Sequence, residues 1–473
     1  MSHPVSPSEA PGTEQAASEA DLFAIPEGSR EAFLRFRDSL SREDREALRL
    51  LAVAMKKKSA VEFIGSLPKE RCLDAEELCL FDSEAVRKMP TFRSPVKSLV
   101  VVLKATRLCN LRCTYCRSWA EGPDQTMAFS VLLRAVRDIL SMTGLERVEF
   151  VWHGGEVTLL RPSYFKKLIW LQQQFRQPGQ TVRNSMQTNA THLSEEWLEF
   201  LSALDMGVGV SLDGPPEVHD SRRLNQGGGP TSKAVIAGLE RLRKAGIPHG
   251  ALMVVDRDLR DLGAARLLEY LDEIELRDVN FLNVLPDNVD AGDGQPRGTY
   301  LSYPEYVAFL VEVFDLWWAR YRGTLRIKDF ESLMPSVRSG AKPPVCYWEG
   351  DCMGRYVTLE ANGDLAPCDK YVGAPGSVIG NVMKSPVSRL LATSRYLEGE
   401  RTETRKVTQG MESCGWFGLC QGGCPHDVKL NVRYVPAFDG TCCGLSPLLE
   451  RMRAVAEPSS PHLQTPNGAV AGP

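Results

Sequence analysis

Residues 99–116 read Leu-Val-Val-Val-Leu-Lys-Ala-Thr-Arg-Leu-Cys-Asn-Leu-Arg-Cys-Thr-Tyr-Cys. The short β-branched run Leu99 to Leu103 predicts a strand, and the loop after it holds Cys109, Cys113 and Cys116 in a C-x3-C-x2-C spacing. The same unit of apolar run, loop and amphipathic helix repeats downstream. Further strands are expected at Val148 to Trp152, Val182 to Gln187, Val208 to Leu212, Ala251 to Val255 and Val279 to Leu285. Between them, Leu132, Ala135, Val136, Ile139 and Leu140 fall at i, i+3, i+4, i+7 and i+8, one apolar stripe of a helix. Six such units predict an α/β fold, a partial (β/α)6 TIM-like barrel whose chemistry sits just after each strand.

The chain has 473 residues, 43% of them apolar, which exceeds what one core usually accommodates and predicts a main domain with a smaller one. Fifty-six basic and 60 acidic side chains leave a net charge of -4, so neither nucleic acid nor an anionic membrane is expected as a partner. The N-terminus lacks the basic and apolar regions of an export signal, and no run approaches the roughly 18 apolar residues of a membrane span. A cytoplasmic location is the reading. There, 13 cysteines point to metal binding or catalysis, because thiols are kept reduced.

Along the chain, residues 1–26 are rich in Pro, Ser, Glu and Ala and are expected to be disordered. A helical N-terminal extension follows over 27–95, with Ser41 and Asp44 forming a capping box ahead of Leu48, Leu51 and Met55. Lys56, Lys57 and Lys58 read as a solvated helix end. Cys72 and Cys79 are expected to be small buried side chains rather than ligands. The barrel is assigned to 96–300, a helical bridge to 301–345, a cysteine-rich domain to 346–445, and a helix end with a disordered tail to 446–473.

Three thiolates as close as Cys109, Cys113 and Cys116 can ligate three irons of a 4Fe-4S cube and leave the fourth open to a small molecule. A structural zinc would want a fourth ligand and usually two separated C-x2-C pairs, which the loop lacks. In this setting the motif resembles the radical-SAM superfamily. That resemblance implies S-adenosylmethionine on the open iron, reductive cleavage to a 5'-deoxyadenosyl radical, Tyr115 near the adenine, and an electron donor such as flavodoxin or ferredoxin. Gly154, Gly155 and Glu156, after the second strand, match the family's GGE element. Gln187 and Asn189, with Ser211-Leu-Asp-Gly-Pro215 and His219-Asp-x-x-Arg223, resemble elements of the anaerobic sulfatase maturases and their peptide-modifying relatives. Ser211 and Arg223 are the candidates for the carboxylate and ribose of the cofactor. His219 and Asp220 read either as a helix N-terminus or as catalytic groups.

From Cys346 the spacing is similar to a SPASM domain, which implies two auxiliary 4Fe-4S clusters and three in all. The resemblance assigns Cys346, Cys352, Cys368 and Cys424 to the first and Cys414, Cys420 and Cys442 to the second. One family cysteine is absent, because Met411 stands where a thiolate is expected. Cys443 is available, but consecutive side chains tend to diverge, so an open or differently ligated iron is the expectation. Asp369 matches the position implicated in the sulfatase maturases as the base that takes a substrate proton; it reads equally well as a turn cap.

Three activities share this radical-generating half. The favoured one is cross-linking within a ribosomally synthesised (RiPP) peptide, because Met411 and the Cys442-Cys443 ending depart from the sulfatase maturases. Oxidation of Cys or Ser to formylglycine is the second, and an oxidoreductase or mutase of a small metabolite the third. A peptide or protein is the expected substrate.

Overall fold

In the computed structural model, residues 30–41, 44, 60–83, 86, 88–119, 125–204, 206–287, 289 and 294–456 are described. The expected disorder at both ends, the Lys56 to Lys58 run, and Leu48, Leu51 and Met55 lie outside them. Ser41 and Asp44 do make the anticipated start signal: the Asp44 amide donates to Ser41 Oγ at 3.1 Å, and the Ser41 hydroxyl donates to the Asp44 carboxylate at 2.7 Å.

Among the described residues ten strands succeed one another: β1 (Ser98–Thr106), β2 (Arg147–Gly154), β3 (Thr181–Thr188), β4 (Val208–Ser211), β5 (His249–Val255), β6 (Asp278–Asn283), β7 (Arg326–Ile327), β8 (Tyr356–Leu359), β9 (Asp364–Ala366) and β10 (Gly380–Asn381). The first six are the strands expected from sequence, with ends that move by no more than three residues. The protein is an α/β chain with a parallel sheet of the partial TIM-barrel kind. It divides into two compact units, one of residues 1–254, 288–293 and 353–401, the other of 255–287, 294–352 and 402–473.

In the first unit β1 to β5 pair in chain order, each parallel to the last. The other side of β1 takes β8 in parallel, Val100 opposite Tyr356, and the antiparallel β9 and β10 follow. Because β8 is hydrogen-bonded to β1, the stretch 353–401 belongs to the same unit as the strands β1 to β4. Leu99, Val101, Leu103 and Ala105 of β1 are buried, as are Phe150 and Trp152 of β2. The helix α2 (Phe129–Leu140), which follows α1 (Ala75–Phe81) in the chain, has all five residues of its expected stripe at 1% exposure or less. Burial on this scale, at roughly 25 cal/mol per Å2 of apolar surface, is what fixes the strand ends rigidly.

The helical extension packs on α3 (Pro162–Phe175). Asp74 and Glu77 make a capping box that starts α1, and Glu77 also pairs with Lys167 of α3 at 2.5 Å. Phe81 meets Trp170 at a ring distance of 5.0 Å, and the Trp170 indole donates to the Leu67 carbonyl. Cys79 corrects the sequence expectation, because it is exposed, and Cys72 is only half-buried; the apolar contacts of this extension are made by Phe81 and its neighbours instead.

The second unit pairs β6 with β7 in parallel. Between residues 301 and 345 it holds α8 (Tyr303–Leu316), started by a Ser302–Glu305 capping box, and α9 (Lys328–Ser339), preceded in the same unit by α7 (Ala264–Glu273); α4 (Glu195–Leu204), α5 (Pro216–Arg222) and α6 (Ser232–Lys244) belong to the first unit. The helices α10 (Pro425–Tyr434) and α11 (Ser446–Ala456) complete it, α11 packing on α8 and α9. Among the described residues no helix is long and apolar enough to cross a membrane.

Candidate active site

The C-terminal ends of β1 to β4 converge on the cysteine loop, and glycine makes the convergence possible. A Cβ on Gly155 would stand 2.1 Å from the Leu108 carbonyl oxygen, and one on Gly154, whose φ is 140°, would stand 2.0 Å from that of Thr106. Only glycine lets the backbones approach this closely. The Gly155 and Glu156 amides then donate to the Thr106 and Leu108 carbonyls at 2.7 and 2.8 Å, stitching the end of β2 to the loop.

Glu156 is buried, and its carboxylate accepts from the Thr158 amide and hydroxyl, the Thr188 hydroxyl at 2.6 Å and the Asn189 amide at 2.7 Å. With both oxygens engaged, its side chain clasps the ends of β2 and β3. Asn189 is thereby aimed at the loop, its amide nitrogen 2.8 Å from Asn110 Oδ1 and 4.0 Å from Cys109 Sγ. Gln187 donates to Ser211 Oγ at 2.8 Å, linking β3 to β4.

Tyr115 donates to Asp213 at 2.5 Å and accepts from Arg223 at 2.5 Å. Asp213 is fully buried; burial pushes its carboxyl up, but Arg223 and Arg222, both 3.5 Å away, more than offset this and hold it below the ordinary range. The trio fixes Tyr115 as a rigid wall beside the thiols. His219 accepts from the Asp213 amide through Nδ1 and meets the Thr231 hydroxyl through Nε2. Burial first, then Arg223, brings its pKa down to about 4, so it is a neutral brace. Asp220 accepts from the Thr231 and Ser232 amides and the Ser232 hydroxyl, capping α6. Neither residue is itself a helix N-terminus, since both lie within α5, but Asp220 caps that of α6.

The three loop thiols are half-buried. Burial raises Cys109 to about 12 and Cys113 to about 11, and the Leu111 and Ser118 amides donate to Cys109 Sγ and Cys116 Sγ at 3.3 Å. Among the described residues no three His, Cys, Asp or Glu side chains converge as tightly as a single metal ion requires. Thiolates on a four-iron cube each take their own iron and sit further apart, so an all-thiol loop with amide donors on its sulfurs fits the cube.

A second group of charges meets the same face. Lys104, 1% exposed, lies 2.6 Å from Asp369 Oδ1, 3.9 Å from Glu360 and 3.0 Å from the Ser118 hydroxyl. Arg107 pairs with Glu360 at 2.9 Å and donates to the Arg117 carbonyl. Burial would raise the Asp369 carboxyl, but Lys104, His153 and Arg107 hold it down to about 2. Lys104, Arg107 and Glu360 escaped the sequence reading. A lysine interrupting the run Leu99 to Thr106 was the available signal, since a buried lysine needs an anionic partner.

Asp369 follows Cys368 in the first unit, and Cys346, Cys352 and Cys424 lie in the second. Burial raises Cys352 to about 12, with Cys424 and Cys346 as its next electrostatic neighbours, so three of the four thiols assigned to the first auxiliary cluster come together within one unit.

The sequence matches the radical SAM superfamily model over residues 103–269. The serine-type anaerobic sulfatase-maturating enzyme of Bacteroides thetaiotaomicron is 30% identical over 361 residues, which cover 72% of this chain and 85% of that protein. The cysteine-type enzyme of Clostridium perfringens is 29% identical over 336 residues, 69% of this chain and 88% of that one. The solved structure of native anSMEcpe with bound AdoMet and Cp18Cys peptide superposes with a TM-score of 0.65 at 26% identity, covering 78% of this chain and 99% of the other.

Proposed function

The chain belongs to the radical-SAM superfamily and, within it, to the family that contains the anaerobic sulfatase-maturating enzymes, and on that premise we propose that it oxidises a side chain of a peptide or protein by two electrons. The observation that carries the proposal is the Lys104–Asp369 pair on the cysteine-loop face. Cys109, Cys113 and Cys116 would hold a 4Fe-4S cluster that, with S-adenosylmethionine, would supply a radical able to remove one hydrogen atom, and the C-terminal cysteines would hold clusters able to accept the second electron.

Gly154, Gly155 and the Glu156 clasp hold the loop at the strand ends, Tyr115 and Arg223 bound the cofactor side, and Gln187, Asn189 and Ser211 line it. Asp369 receives the substrate proton. A carboxylate held at about 2 takes a proton only from a strong acid. An alcohol or thiol becomes one once its carbon has lost a hydrogen atom and an electron, and so does an aromatic ring to which a radical has added and which has then lost an electron.

The favoured product is a cross-link within a ribosomally synthesised peptide, supported by the departures at Met411 and Cys442-Cys443. The identity with serine- and cysteine-type maturases supports a second product, formylglycine. Mass spectrometry of a co-expressed peptide with and without a hydrazide probe separates them: a cross-link loses two hydrogens and leaves no aldehyde, whereas formylglycine, formed by loss of two hydrogens from Ser or by loss of hydrogen sulfide and gain of oxygen from Cys, reacts with the hydrazide. A peptide of unchanged mass, with 5'-deoxyadenosine still formed, would overturn both. Asp369→Asn is expected to keep S-adenosylmethionine cleavage and lower product yield by about 100-fold or more.

A further inference from the structure

Four thiols gather in the second unit, not three. Cys443 Sγ lies 3.7 Å from Cys420 Sγ, the adjacent Cys442 thiol donates to the Ser446 hydroxyl at 3.4 Å, and Cys414 has Cys442 and Cys420 as its electrostatic neighbours. Cys443 is 2% exposed and its carbonyl accepts from the Asn431 side chain of α10, so its backbone is fixed. The loop Cys420-Gln-Gly-Gly-Cys424 folds against it: Gly423 has φ +81°, and a Cβ there would stand 3.2 Å from Cys443 Cβ. Divergence of consecutive side chains is a property of an extended strand. Cys442 and Cys443 lie outside any helix or strand, before Gly444 at φ +99°, so both thiols can turn to one side.

Met411 is 1% exposed, with its sulfur beside Gly422; a Cβ on that glycine would lie 3.4 Å from it. A thioether is a poor substitute for thiolate at a 4Fe-4S cube. We propose that Cys443 supplies the fourth thiolate of the second auxiliary cluster, with Cys414, Cys420 and Cys442, and that Met411 only fills the space of the displaced ligand. The site is therefore closed, an electron acceptor with no iron free for substrate. This rests on the reading that the C-terminal cysteines hold auxiliary clusters, and not on the identity of the product.

The test uses the full chain, reconstituted anaerobically with ferrous iron and sulfide, and reads iron, sulfide and the electron paramagnetic resonance spectrum after reduction. Wild type is expected to hold about twelve irons and Cys443→Ala about eight, at four per cube. Met411→Leu is expected to match wild type. Met411→Cys introduced into Cys443→Ala is expected to restore about twelve irons, which also shows that the variant folds. Unchanged iron and spectrum in Cys443→Ala overturns the proposal whatever the starting content. So does a Cys420–Cys443 disulfide, seen as a loss of two hydrogens in the mass of the reconstituted protein. A wild-type content near four irons overturns the auxiliary-cluster reading along with it, whereas a failed peptide reaction leaves it standing.

Discussion

The two thiol groups of this protein are built in opposite ways. Cys109, Cys113 and Cys116 sit within eight residues on one loop hung from β1, and the strand ends around them are tied by Glu156 and by the Tyr115–Asp213–Arg223 trio. Cys414, Cys420, Cys442 and Cys443 come from three segments of the second unit and meet only because those segments fold together. A loop whose ligands are local depends on the shape of one turn. A group assembled from distant segments depends on packing, and a ligand can be supplied by another segment without losing the site, as proposed for Cys443 in place of position 411.

The sharpest way to break this contrast is to replace Cys109, Cys113 and Cys116 together by Ala. Formation of 5'-deoxyadenosine under dithionite is expected to disappear while iron at the C-terminal cysteines remains, because those ligands belong to other segments. Residual cleavage would remove the assignment of the loop.

Glycine substitutions compare the tolerance of the two regions. Gly155→Ala places a methyl 2.1 Å from the Leu108 carbonyl, a backbone atom that cannot yield without moving Cys109. Near-complete loss of S-adenosylmethionine cleavage is expected. Gly423→Ala meets Cys443 Cβ at 3.2 Å and a left-handed φ, a strain of about 1–2 kcal/mol; denaturant unfolding should show that loss with the first cluster intact. Equal damage from both substitutions would erase the distinction.

The electrostatics of the two units differ in the same sense. Asp213 is buried between two guanidinium groups, whereas Asp329, at the start of α9, is 5% exposed and burial raises its carboxyl to about 7, with only partial relief from Lys328 and Asn280. Between the ordinary value of about 4 and about 7 the native state binds a proton that the unfolded chain releases. Stability is therefore expected to fall as pH rises across that window, by on the order of 4 kcal/mol, and then level off. Asp329→Asn should flatten the profile. Thermal unfolding between pH 5 and pH 8 measures this, and an unaltered slope would show that another group sets it.

Much of this protein was determined by sequence alone. The runs from Leu99 to Leu285 became strands in the expected order, and the stripe from Leu132 to Leu140 became the buried face of α2. Side-chain periodicity follows from backbone geometry, so it is written locally, and so is the spacing of the first three thiols. The partners of Lys104, the clasp at Glu156, the bracing role of His219 and the approach of Cys443 to Cys420 were decided by the tertiary structure. Each is a contact between residues far apart in the chain or between side chains of an irregular loop. Backbone period carries no information about such contacts; they exist because a buried charge or thiol must be met by the polar groups that folding brings beside it.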